Sequence, residues 1–196
     1  MFPTGLVAGS GWASGLNLWA VVGVLGIAGR AGWADTPAFL QRTPVIAVAA
    51  LLYAAEFVID KIPYIDSAWD VVNTAIRPVG AGILAMLLTP HASTAHQLGA
   101  VVGSSGAALT SHSAKASLRA LINLSPEPIS NILASLGEDG IVFSVLSLAL
   151  THPRPALVVT VVAVMASVAI VVLVVRALRR TGRRVRNAFR GRRAAI

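Results

Sequence analysis

The sequence predicts an all-α protein of the polytopic membrane class: a bundle of about six transmembrane helices, some of them broken or ended by proline. Three observations lead there. Mean hydropathy is +0.75, with 56% of the 196 residues hydrophobic and 12% charged. Six apolar segments recur along the chain, each near the ~20 residues that a spanning helix needs. Nine of the 16 Lys and Arg residues fall between Arg176 and Arg193, an acid-free stretch directly after the most apolar segment. Such a stretch is held on the cytoplasmic side by the positive-inside rule and is drawn to anionic lipid headgroups.

The segments are about 5–29, 44–62, 67–89, 97–122, 128–150 and 155–178. The first has no basic residues ahead of it and is read as a retained span rather than a signal peptide. Its Gly5, Gly9, Gly11 and Gly15 let another helix approach closely, within one chain or in a homo-oligomer. The second and third are separated by KIPYIDS, where Pro63 enforces a break and Asp66 can cap the next helix. The fourth carries Ser104, Ser105, Ser111, His112, Ser113, Lys115 and Arg119, so it must face protein or water rather than lipid. It ends in NLSPEPIS, where Pro126, Glu127 and Pro128 interrupt the chain and Ser125 offers a cap. The sixth holds ALVVTVVAVMASVAIVVLVV, uninterrupted by charge and rich in β-branched residues, as suits a lipid-facing helix. Residues 1–178 thus form a transmembrane domain and 179–196 an Arg-rich cytoplasmic tail. Six spans and a cytoplasmic tail put both termini in the cytoplasm. Short similarities, ASGLNLWA with KASLRALI and LYAAEFV with ASLGEDG, suggest three-helix repeats over 5–90 and 97–178, which would be inverted.

Charges inside the spans carry the functional signal. A rise of about 1.5 Å per residue from the two proline turns puts Arg77, Lys115 and Glu138 near the midplane. Glu56, Asp60, Arg119 and Asp139 lie at overlapping heights, with Lys61 beside them. Glu56 and Asp60 are i and i+4, as are Lys115 and Arg119, so an acidic stripe on the second segment matches a basic stripe on the fourth. Each such group costs about 2.5–3.5 kcal/mol at the bilayer centre, so they must pair or be wet. Paired, they fix which helices meet. Wet, they line a path for an ion, a small anion or a lipid headgroup, to which Asn17 and His112 can contribute.

Other chemistries find little. The chain has no cysteine, which excludes disulfides, iron–sulfur clusters and thiolate zinc. The four histidines lack metal-ligand spacing, and Ser111 next to His112 sits in no nucleophile motif, so neither enzyme activity nor a cofactor is expected. The basic tail follows a span and holds one aromatic, Phe189, so a lipid surface fits it better than nucleic acid.

SGLNLWA, EFVIDKIPYIDSAWDVVNTAIRP and AKASLRALINLSPEPISNILASLGED together resemble the bacterial membrane family labelled domain of unknown function 4126, over residues 5–150. The resemblance implies that these polar strings belong together, in a bacterial inner membrane, and implies no reaction. The family's pattern has a basic residue after SGL where this chain has Asn17. The expected function is a small transporter or channel-like protein; the alternative is a scaffold whose charges are locked pairs.

Overall fold

The computed structural model describes residues 4–62, 64–124 and 128–193, with residues 128 and 182–193 described by backbone alone. Pro63, Ser125, Pro126 and Glu127, expected at the turns, lie outside the described residues, and Pro128 is the first residue of a helix. Six helices follow one another: α1 (Thr4–Arg30), α2 (Thr43–Ile59), α3 (Ile65–Leu88), α4 (Thr94–Ile122), α5 (Pro128–Thr151) and α6 (Pro153–Arg193). No strand occurs among the described residues. The helices α1, α3, α5 and α6 are long and apolar enough to cross a membrane. Helix α2, with 17 residues, is about 25 Å long, and α4 is long enough but polar.

Helix α1 is broken in the middle. Asn17 has extended dihedrals (φ −153°, ψ 97°) between two helical halves, and its Oδ1 accepts a hydrogen bond from the Ala20 N–H at 3.0 Å. It is therefore an N-cap, placed where a second helix begins. The first half runs beside α4 in the same direction. Gly11 faces Ser104, Gly15 faces Ala108 and Ser111, and Gly5 lies against the Pro153 carbonyl at the α5–α6 turn. A Cβ on Gly15 would fall 2.0 Å from the Ala108 carbonyl oxygen, so only glycine permits this approach.

The second half returns toward the end from which the first came. Gly23 faces Ala49, and Gly26 faces Leu40 and Ile46, which makes it antiparallel to α2. Helix α2 is in turn antiparallel to α5, with Tyr53 against Phe143 and Lys61 bonded to Ser135. The start of α2 and both ends of α1 thus lie level with the α5–α6 turn. Helices α2 to α6 each run between the two ends of the bundle, and the Arg-rich end of α6 emerges at the end opposite the α5–α6 turn.

One expectation is corrected here. The first and last described residues do not lie at the same end of the bundle, because α1 bends back toward its start. As for the repeats, α2 runs against α5, while the first half of α1 runs with α4. Helix α6 also continues without a break past residue 178, so the basic tail extends a helix.

The apolar core surrounds α1 at the α5–α6 end, where Val21, Leu25, Leu84, Val142 and Leu146 are buried. The outer surface is apolar as well. Leu51, Val71, Val102, Leu133 and Val158 are exposed, as a lipid-facing surface requires. The polar interior occupies the other half of the bundle.

Candidate functional site

The break in α1 leaves its last first-half carbonyls without helical partners. Cations and hydroxyls from α3 and α4 take them. Arg77 Nη1 donates to the Gly15 carbonyl at 3.0 Å, Lys115 Nζ to Leu16 at 3.3 Å, and Ser111 Oγ to Trp12 at 2.7 Å. The negative end of a half-helix and two buried cations thus meet near the centre of the molecule.

Around them the other helices contribute stripes. On α3 the buried residues Asp66, Asp70, Asn73 and Arg77 recur every three or four positions and form one face. On α4 the stripe is Ser111, Lys115 and Arg119, and on α5 it is Asn131, Ser135 and Glu138. On α2 it is Glu56 and Asp60. The expected match of acidic α2 with basic α4 is present, with Lys115 Nζ 2.5 Å from Asp60 and 3.8 Å from Glu56. Arg77 forms an ion pair with Glu56 and lies 3.5 Å from Asp70. Arg119 pairs with Glu138 at 2.7 Å and lies 3.7 Å from Asp66. Its Nη1 also donates to the Asp60 carbonyl at 2.6 Å, which caps the C-terminal end of α2 with positive charge. Lys115 reaches Glu138 at 3.4 Å, so four helices share one network.

The remaining expected residues fall at its margins. Lys61 donates to the Phe57 carbonyl at 2.8 Å and to Ser135 Oγ at 3.2 Å, with its ammonium over the Phe57 ring. Asp139 is half-buried, with Oδ2 unpartnered. Asn17 shapes the site through its cap rather than by facing into it. Asp66, expected only at a turn, accepts hydrogen bonds from Asn123 and lies inside the network. His112 sits between Arg77 Nη1, at 2.8 Å, and Thr74 Oγ1, at 3.0 Å. An arginine can only donate, so His112 Nδ1 accepts and Nε2 carries the hydrogen. The Ser111 hydroxyl is directed to Trp12 and Ala108, not to His112.

Sequence reasoning missed Asp70, Asn73, Thr74, Asn123 and Asn131. The signal was the recurrence of 66, 70, 73 and 77 on one helical face, partly hidden by reading Asp66 as a cap alone.

Charges in this seam do not balance. Six carboxylates (Glu56, Asp60, Asp66, Asp70, Glu138, Asp139) face four cations (Lys61, Arg77, Lys115, Arg119). Among the described residues, Glu56 Oε2, Asp60 Oδ1, both oxygens of Asp70, Asn73 Oδ1 and Asp139 Oδ2 are buried without a hydrogen-bond partner. Such orphans are costly; six among the described residues are acceptor oxygens, on these five side chains, and two are donors, Trp69 Nε1 and Arg77 Nε. No group of three or more His, Cys, Asp or Glu among the described residues is arranged to hold a metal ion.

Comparison with known proteins adds one finding. No curated protein and no solved structure matches the chain. The family described as a domain of unknown function, DUF4126, matches residues 5–176, so the match runs beyond the three polar strings through most of α6 and stops before the tail. With nearly the whole helical bundle matched, the chain belongs to the DUF4126 family.

Proposed function

We propose that the protein is a small transporter-like membrane protein that carries a proton or a small monovalent cation through the charged seam. The observation that carries this reading is the excess of two carboxylates over cations in the seam, with buried acceptor oxygens unpartnered beside a broken helix. Of the ligands suggested by the sequence, an anion or a lipid headgroup fits less well. Arg77, Lys115 and Arg119, which would hold it, each already lie within 4 Å of at least two carboxylates. A broken helix presenting its carbonyls to an interior site is a recurring device of ion-coupled transporters. In this reading the seam faces the end of the bundle that bears Arg176, Arg179 and Arg180, all exposed, which rest on anionic lipid at the cytoplasmic face.

The scaffold reading rests on the same ion pairs, and one experiment separates the two. Protein in liposomes with a trapped pH indicator is given a membrane potential, and flux of protons or of an added alkali cation is followed. Transport predicts flux above that of empty vesicles and its loss in Glu56→Gln. Folded protein with no flux of either ion would favour the scaffold.

A further inference from the structure

The seam's carboxylates are not equivalent. Glu56, Asp60, Asp66 and Glu138 each accept at least one hydrogen bond from a side chain of another helix. Asp70 and Asp139 do not, and of these two only Asp70 is buried. Asp70 is 4% exposed, both its carboxylate oxygens lack a hydrogen-bond donor, and Arg77 Nη1 approaches Oδ1 no closer than 3.5 Å. That same Nη1 is already committed to the Gly15 carbonyl and His112. The neighbour that would have to move toward Asp70, His112, is itself fixed, because its Nε2 hydrogen is held by Thr74, whose hydroxyl donates to the Asp70 carbonyl at 2.9 Å.

A second orphan lies on the same face. Asn73, 1% exposed and one turn farther along α3, has an Oδ1 with no donor, while its Nδ2 donates to the Trp69 carbonyl at 3.0 Å. Two buried acceptors, three residues apart on one helical face, both lack a donor. A proton on Asp70 supplies it.

Resting on the cation reading above, we infer that the carried ion is a proton, that Asp70 is the group that binds it, and that Asn73 Oδ1 accepts the hydrogen of the resulting carboxylic acid. A proton from the aqueous phase forms the O–H bond at the Asp70 carboxylate, and its departure to water restores the anion. No other bond changes. Protonation removes one of the two carboxylates that share Arg77 and leaves the guanidinium to Glu56. Binding at Asp70 is thereby felt on α2. Charged groups that act on Asp70 from the other helices are Lys115, Asp60 and Glu138. With burial and Arg77 they act on the proton affinity of Asp70, and none of them donates to it.

The test is infrared spectroscopy of the full-length protein in lipid, titrated with pH, following the carboxylic-acid C=O stretch apart from the carboxylate band. The wild type should gain one buried carboxylic-acid band on acidification. Asp70→Asn, which keeps a neutral group with a donor at that position, should lose that band and remain folded. Asn73→Ala should keep the band but shift its appearance to lower pH by about one unit, the worth of one hydrogen bond. Persistence of the band in Asp70→Asn, no change in Asn73→Ala, or no such band in the wild type over the pH range where it is folded would each overturn the assignment. The band's behaviour is independent of flux. A proton bound at Asp70 in a protein that moves no ions would refute transport and leave the assignment standing.

Discussion

Arg77 is completely buried and serves a broken helix, a histidine and two carboxylates at once. Removing one member of such a group leaves the others charged and unpaired, which costs about 3–5 kcal/mol. Arg77→Met should therefore destabilise the protein by about that amount in denaturant unfolding in detergent. The double variant Glu56→Gln with Arg77→Met should recover much of the loss, because both charges are gone. Recovered stability without recovered flux would separate a working site from a structural pair, and recovery of both would mean that this pair only holds the fold and the ion passes elsewhere. At this scale the sequence was informative where spacing was simple. Glu56 with Asp60, and Lys115 with Arg119, announce their faces by i and i+4 alone. Asp70 and Asn73 were not legible, since what distinguishes them is the absence of a donor, which only three-dimensional packing reveals.

Among the elements, α1 decides the architecture. Its first half packs on α4 through glycines, so Gly15→Ala, which places a methyl 2.0 Å from a backbone oxygen, should cost about 3 kcal/mol or more. Gly103→Ala, where nothing lies within 4 Å, should be neutral or slightly stabilising in the same denaturant unfolding measurement. Asn17→Ala removes the cap on the second half and should cost about 1 kcal/mol. Glycine spacing made the close packing of α1 legible in advance. The break was not, because no proline marks it and a single asparagine within an apolar run also reads as a tolerated polar residue. A side chain that favours N-caps, standing between two stretches each long enough for a few helical turns, is the available clue.

For the whole molecule, the bend in α1 leaves five helices, α2 to α6, that run between the two ends of the bundle. A reporter fused before α1 and one fused after α6 should therefore read opposite sides of the membrane. Signals from the same side would restore α1 as a full span. Helix number, the placement of the first five segments to within a few residues, and the meeting of charges from α2, α4 and α5 were all legible in hydropathy and spacing. The direction of α1 was not, since hydropathy records how long an apolar run is and not whether it turns back.

The central claim is that the seam, and not the apolar half of the bundle, opens to water. Because the chain has no cysteine, single cysteines at positions 56, 77, 115 and 138, with position 21 in the apolar core as control, can each be tested with a small membrane-impermeant thiol reagent. Every variant is first checked for folding. An opening seam predicts labelling at 138, where the native side chain is 17% exposed, slower labelling at 56, 77 and 115, and none at 21. Protection at all four seam positions in folded protein would contradict it and leave a sealed set of ion pairs.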